Sequence, residues 1–145
     1  MKALIQRVKK ASVSVEGSEI ASINTGLLVF FGVHQNDNSE KVKKLVKKII
    51  ELRVFNDENQ KMNLSCVDTQ NDILLVSQFT LYADCKKGRR PSYIEAASPE
   101  LAQQLYTEAI IEFEQQFKPI STGQFAANML VSLENDGPVT LIVEV

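Results

Sequence analysis

No tryptophan, one histidine, two cysteines and four prolines occur among these 145 residues, and each shortage removes a class of chemistry. A zinc site built from protein alone draws on about three or four Cys, His or carboxylate ligands at characteristic spacings. Cys66 and Cys85 stand far apart with no histidine beside either, so no metal and no other cofactor is expected. Cys66 reads as a small buried hydrophobe and Cys85, in a polar stretch, as an exposed thiol. His34 follows the apolar run Leu27 to Val33 and reads as a surface residue at a strand end rather than a catalytic one. No run approaches the ~18 apolar residues of a membrane span, and Met1 to Lys10 hold no apolar block of signal-peptide length; a cytoplasmic protein without a membrane partner is expected. Sixteen basic side chains face 18 acidic ones, a net charge of −2. That balance argues against a wide basic face of the kind that coats DNA or duplex RNA.

What is present is a succession of strand and helix patterns. Ala11, Val13 and Val15 alternate with polar residues, and Glu16-Gly17 leads into Ser18 to Ile23, which predicts a hairpin. Leu27 to Val33 is apolar without alternation, the mark of a strand covered on both faces. Val42, Leu45, Val46, Ile49 and Ile50 recur at helical spacing and predict a helix over about Glu40 to Leu52, with Lys41, Lys43, Lys44, Lys47 and Lys48 on its solvated side. Arg53 to Asn56 and Met62 to Ser65 predict a short strand pair. Ser98-Pro99-Glu100 is a helix start with a cap, a first-turn proline and an acidic residue for the dipole. The helix it opens buries Ala102, Leu105, Tyr106, Ala109, Phe113 and Phe117 and stops at Lys118-Pro119. From Gln124 to Glu134 alternation predicts a long strand, a tight turn follows at Asn135 to Pro138, and Val139 to Val145 predicts a last strand paired with its predecessor.

Many strands and two helices predict a compact single α/β domain over residues 1–145, with mixed or antiparallel sheets in a layered or barrel-like core against the helices. Its central stretch is Asp72 to Asp84. Ile73 to Val76 followed by Phe79 form an apolar run of strand length, and Ser77, Gln78 and Thr80 cluster where it ends. Ends of buried strands are rigid supports from which side chains and freed backbone N–H groups meet ligands.

The words of that stretch are specific. Val76-Ser77-Gln78-Phe79-Thr80-Leu81-Tyr82-Ala83-Asp84 and, near the end, Asn135-Asp136-Gly137-Pro138-Val139-Thr140 resemble the two signatures of the D-aminoacyl-tRNA deacylases. The likeness extends to Gln6-Arg7-Val8, Lys61 to Ser65 and Gly88 to Ser92, and so covers nearly the whole chain in order. The resemblance implies a homodimer of sheet–sheet–helix type whose active site lies at the subunit interface. It implies hydrolysis of the ester between a D-amino acid and the 3′ end of tRNA, with mischarged glycyl-tRNA as a further substrate. Ser77, Gln78, Phe79 and Thr80 would carry catalysis. Gly137 and Pro138, joined by a cis peptide, would form a chiral filter reaching into the partner's pocket, with Phe125 and Met129 shaping that pocket and Arg7 bracing the turn. The family's TGxFGA appears here as Thr122-Gly123-Gln124-Phe125-Ala126-Ala127, with Ala126 where glycine is usual.

Thr80 is the obvious nucleophile by residue type, yet its motif contains no base to activate a hydroxyl. Backbone N–H groups of the motif as oxyanion donors, with the ribose 2′-hydroxyl activating water, form the preferred reading. Two others stay open: an RNA-end binding module gripping phosphates with Lys86, Lys87, Arg89 and Arg90, which also read as a plain solvated loop, and a hydrolase of small esters or D-peptides using Thr80.

Overall fold

One strand sets the architecture of the computed structural model, which describes residues 1–145. In chain order the elements are β1 (Lys2–Val15), β2 (Ser18–Ile23), β3 (Gly26–Gly32), α1 (Ser39–Ile50), β4 (Phe55–Asn56), β5 (Met62–Leu64), the short α2 (Cys66–Thr69), β6 (Asp72–Ser77), α3 (Pro99–Gln116), β7 (Ser121–Thr122) and β8 (Met129–Glu144). β1 is long enough to divide one of its edges, its first half pairing with β3 and its second with β2, while its other edge pairs along its length with β8. β6 lies parallel to β3 and carries β7 on its far side. The result is a mixed, nearly closed, barrel-like sheet of six strands, with β4 and β5 as a separate pair.

Local chemistry accounts for the elements. Glu16 and Gly17 both have positive φ, +49° and +82°, the geometry of a two-residue hairpin whose twist matches its strands. Asn38 caps α1 by accepting from the Lys41 N–H, and Ser98 caps α3 by accepting from the Leu101 N–H. The β6 sequence has no polar alternation because it has no solvent face. Ile73 and Leu75 join Leu27, Val29 and Phe31 in the larger core under α1 and α3, and Leu74 and Val76 join Val8, Val13 and Leu28 in a smaller core on the opposite side. Each fully buried side chain of this size stabilises the fold by about 1.5–3 kcal/mol.

Charged groups are buried as well, Arg7 and Asp37 among them. The Asp37 carboxylate, with no accessible side-chain surface, binds the Met1 ammonium and Lys41 Nζ at 2.9 Å each and accepts the His34 N–H at 2.8 Å. Burial pushes this carboxyl up, but those three donors outweigh burial and hold it below the ordinary range.

The structure corrects the sequence reading in four places. Phe79 does not continue the strand: β6 stops at Ser77 and residues 79–82 form a 3-10 turn. Residues 124–128 are not extended, and the last long strand begins only at Met129. Asn135 to Pro138 is no hairpin. Both halves of β8 run antiparallel to the same β1, so 136–139 are a bulge opposite Arg7 in one continuous strand. Finally, α2 was not anticipated, although Ser65 and Asp68 cap it reciprocally in a pattern readable from the sequence.

Candidate active site

β6 ends beside Gly32, and that glycine lets the chain turn. A Cβ at position 32 would lie 3.0 Å from Leu81 Cβ and 3.2 Å from Gln78 O, so its absence allows residues 79–82 to settle on β3. The Gln78 N–H donates to Phe31 O at 2.8 Å and adds one rung beyond the β3–β6 ladder. The first N–H groups of a helical turn have no partner within it, and those of Phe79 and Thr80 find no acceptor elsewhere in the chain. Thr80 Oγ1 accepts a short hydrogen bond from Gln78 Nε2. Two backbone donors are therefore free here, and the one on Gln78 is not.

Ser77, Gln78 and Phe79 line a cavity of about 670 Å³. Phe31, Val76 and Ser77 form its floor, Ala102 and Tyr106 of α3 one wall, and Phe125 to Met129 with Val131 the other. Its 18 lining residues include 14 apolar ones and no Asp, Glu, His, Lys, Arg or Cys, so the lining offers no carboxylate, imidazole, amine or thiol for proton transfer. No group of three or more His, Cys, Asp or Glu side chains gathers as a metal site. Leu75 O receives both the Tyr106 hydroxyl, at 2.8 Å, and the Gly123 N–H, at 2.9 Å, which ties the two walls to one atom of β6. Burial pushes the Tyr106 phenol above its ordinary value of 10.0, so it remains a donor.

Close packing fixes the second wall. A Cβ at Gly123 would lie 2.7 Å from Met129 Sδ, so any larger residue there would displace the methionine side chain from its place in the wall. Ala126 has φ +59°, a left-handed conformation that costs a residue with a Cβ about 1–2 kcal/mol, at the position where the resemblance calls for glycine.

The Gly-Pro segment lies elsewhere. Gly137 and Pro138 are exposed, joined by a cis peptide, and line no part of this cavity. Arg7, only 5% exposed, reaches the bulge from β1. Its Nε donates to Asp136 O at 3.2 Å and lies 3.0 Å from Asp136 Oδ2, Nη2 is 3.5 Å from Gly137 O, and Nη1 makes a short bond to Val54 O.

The structure thus brings Ser77, Gln78, Phe79, Phe125 and Met129 to one cavity, leaves Thr80 outside its lining although next in sequence to Phe79, and sets Arg7, Gly137 and Pro138 apart from it. Sequence reasoning did not find Phe31, Tyr93, Tyr106 and Asn128 in the lining, because they come from elements that only tertiary packing brings together. Tyr106 looked like any core residue of the α3 stripe.

An apolar pocket at the end of a buried strand, with an unpaired backbone donor on Phe79 and no acid or base in its lining, offers main-chain rather than side-chain chemistry. Comparison with known proteins makes the class definite. The model of the family described as D-Tyr-tRNA(Tyr) deacylase matches residues 4–144, and the chain belongs to that family. It is 54% identical over 144 residues to the D-aminoacyl-tRNA deacylase of Thermosipho africanus, covering 99% of this chain and 97% of the relative. It is 54% identical over 145 residues to that of Haemophilus influenzae, covering all of both. A solved structure described as c-Myc DNA Unwinding Element Binding Protein is 40% identical, with a TM-score of 0.96 over 100% of this chain and 99% of that one.

Proposed function

We propose that this protein is an ester hydrolase that removes D-amino acids from tRNA. In this reading it also removes glycine from mischarged tRNA, rejects L-aminoacyl-tRNA, and works in the cytoplasm as a domain spanning residues 1–145. One observation carries the mechanism: the cavity is lined by Phe79, whose N–H, like that of the adjoining Thr80, has no acceptor in the chain, and its lining holds no side-chain base. The aminoacyl ester carbonyl sits against those two donors, which stabilise the oxyanion formed when water attacks. The 2′-hydroxyl of the terminal ribose assists that water, and the 3′-oxygen leaves with the proton as the free tRNA end. Thr80 Oγ1, engaged by Gln78 Nε2, positions the turn and does not attack.

Chiral rejection requires a wall that the cavity of one chain lacks. Gly137 and Pro138 are exposed on a bulge in the middle of β8, whose outer edge pairs with no other strand. Leu130 and Ile142 on that strand are 70% and 67% exposed, and exposed apolar patches on a long edge strand suit burial by a second copy. Met129 and Val131 of β8 also border the cavity, so a homodimer through β8 brings the bulge of one protomer to the cavity of the other. A rigid backbone on one side of the α-carbon excludes an L side chain, spares a D side chain and ignores glycine. Duplex DNA finds no broad cationic face at a net charge of −2.

The test is incubation with D-tyrosyl-, L-tyrosyl- and glycyl-tRNA, with a free D-amino-acid ester, and with D-tyrosyl-tRNA ending in 2′-deoxyadenosine. Rapid loss of the first and third alone is expected. Full-speed turnover of the deoxy substrate would remove the 2′-hydroxyl from the mechanism, and hydrolysis of the free ester would return the chemistry to the protein. A fully active monomer in sedimentation would sink the shared site.

A further inference from the structure

The 3-10 turn that carries the Phe79 and Thr80 N–H groups has little to hold it at a fixed angle. No side chain caps it, Phe79 is 54% exposed, and Thr80 Oγ1 bonds only to Gln78 beside it, which ties the segment to itself. Tyr82 alone of the four residues is buried, at 7% exposure. Its ring meets the His34 imidazole with centroids 5.2 Å apart at 60°, and Lys2 Nζ lies 4.9 Å from its centroid. His34 is itself fixed, its N–H donating to the buried Asp37 carboxylate at 2.8 Å and its Nδ1 accepting from the Asn36 N–H at 3.1 Å. The Tyr82 hydroxyl, by contrast, is buried with no hydrogen-bond partner in the chain. Burial, and then the carboxylates of Asp37, Glu144 and Glu95, push this phenol above its ordinary value of 10.0, so it stays neutral. A buried hydroxyl without a partner costs free energy. What position 82 contributes is therefore the ring, through packing and a cation–π contact.

We propose that Tyr82 is a positioning residue for the reaction: its ring, and not its hydroxyl, seats the 3-10 turn so that the Phe79 and Thr80 N–H groups face the ester carbonyl. The inference rests on the deacylase reading for the reaction and adds to it the residue that aims the donors. Tyr82 lines no part of the cavity, so it acts only through the turn. A 3-10 helix rises about 2 Å per residue, which puts the ring about 6 Å along the turn from Phe79. The Leu81 N–H donates to Gln78 O at 3.3 Å and the Ala83 N–H to Thr80 O at 3.0 Å, so the segment tilts as one body when its buried end shifts. Gly32 gives the turn room beneath Leu81; Tyr82 gives it an angle.

The test compares Tyr82→Phe, which keeps the ring, and Tyr82→Leu, which does not, with the wild type. Two readouts are taken: turnover of D-tyrosyl-tRNA, and, without substrate, residual dipolar couplings of the Phe79 and Thr80 N–H bonds, which report their orientation. Tyr82→Leu should lower kcat about 10- to 100-fold with KM within about twofold, against about 10²–10³ for outright loss of an oxyanion donor. Its two couplings should depart from the wild-type orientation. Tyr82→Phe should match the wild type in both readouts, with a urea midpoint no lower. Should Tyr82→Leu not fold, His34→Ala, which removes only the neighbouring ring, takes its place, with changes expected in the same direction. An unchanged kcat or unchanged couplings in the variant that loses a ring overturn the proposal. So does a loss confined to KM, or a Tyr82→Phe protein as impaired as Tyr82→Leu. Failure of the deacylase reading looks different: the wild type would leave D-tyrosyl-tRNA intact while the couplings still separate Tyr82→Leu from Tyr82→Phe.

Discussion

Replacing Arg7 by alanine separates the bulge from the rest of the fold. The guanidinium is 6% exposed, lies 3.0 Å from Asp136 Oδ2 and donates to Asp136 O and Val54 O. At 3.5 Å the approach to Gly137 O is too long to add much. Breaking a buried ion pair by removing one partner costs about 3–5 kcal/mol, most of it from the groups left unpaired. Here Asp136 remains 27% exposed and keeps Lys9 Nζ at 3.5 Å, which places Arg7→Ala at the lower end, about 3 kcal/mol. A chain of this length is stable by about 7–22 kcal/mol, so the variant still folds and its activity can be measured. Arg7→Lys retains charge but cannot fork between two carbonyls, and about half that loss is expected. Urea unfolding gives both values, with equal m-values as the control. If Arg7 holds the bulge as proposed, deacylation by the folded Arg7→Ala protein falls more than tenfold, with weakened preference for D over L substrate. A cost under about 1 kcal/mol at unchanged m, or full chiral preference in the alanine variant, would refute the idea that this side chain sets the bulge.

Other perturbations probe the site and the core separately. Thr80→Ala leaves every backbone N–H in place and should lower kcat about tenfold; a loss of several orders of magnitude would make Thr80 the nucleophile. Ala126→Gly should stabilise the fold by about 0.5–1 kcal/mol in urea titration, since relief of a left-handed alanine, about 1–2 kcal/mol, exceeds the entropic cost of glycine, about 0.5–1; destabilisation would mean that the methyl is needed. The folded-state pKa of Asp37 lies below the ordinary value of 3.8, so its contribution to stability is present above about pH 4 and is lost as pH falls through the folded value. The stability gap between wild type and Asp37→Asn should therefore shrink on acidification, and a gap that widens would contradict the assignment. Cys66 is buried, with its thiol pushed up to about 12 by burial, whereas Cys85 is exposed. A thiol reagent should accordingly modify one cysteine in the native protein and two in denaturant.

Much of this fold was written locally. The unbroken apolar run Ile73 to Val76 required a strand covered on both faces, and Ser98-Pro99 fixed the start of α3. Where the sequence misled, the deciding cause lay in another part of the chain. Nothing in residues 77–80 announces a 3-10 turn; the missing Cβ of Gly32 permits it. Asn135 to Pro138 has the composition of a hairpin, but β1 extends past it on both sides and Arg7 holds the excess residues out as a bulge. The alternation from Gln124 onward is genuine in hydropathy, yet the left-handed Ala126 breaks the extended backbone before β8 begins. For the site, motif words led to Ser77 through Thr80, while the aromatic residues of its walls and rim come from β3, α3 and the 93–97 segment, and no local pattern links them.

The double hydrogen bond on Leu75 O has a bearing on how such a pocket changes over evolutionary time. Both walls, through the Tyr106 hydroxyl and the Gly123 N–H, hang from a carbonyl, and no codon change deletes a carbonyl. Substitutions at position 75 alter what the strand buries but leave the anchor where it is, so the distance between the walls is insulated from drift in the surrounding sequence. A change at position 106 that removes the hydroxyl, or a proline at position 123, which has no N–H, frees one side and leaves the other tied. An amide-to-ester replacement after position 75, which weakens the acceptor without altering any side chain, would be the direct way to loosen both at once.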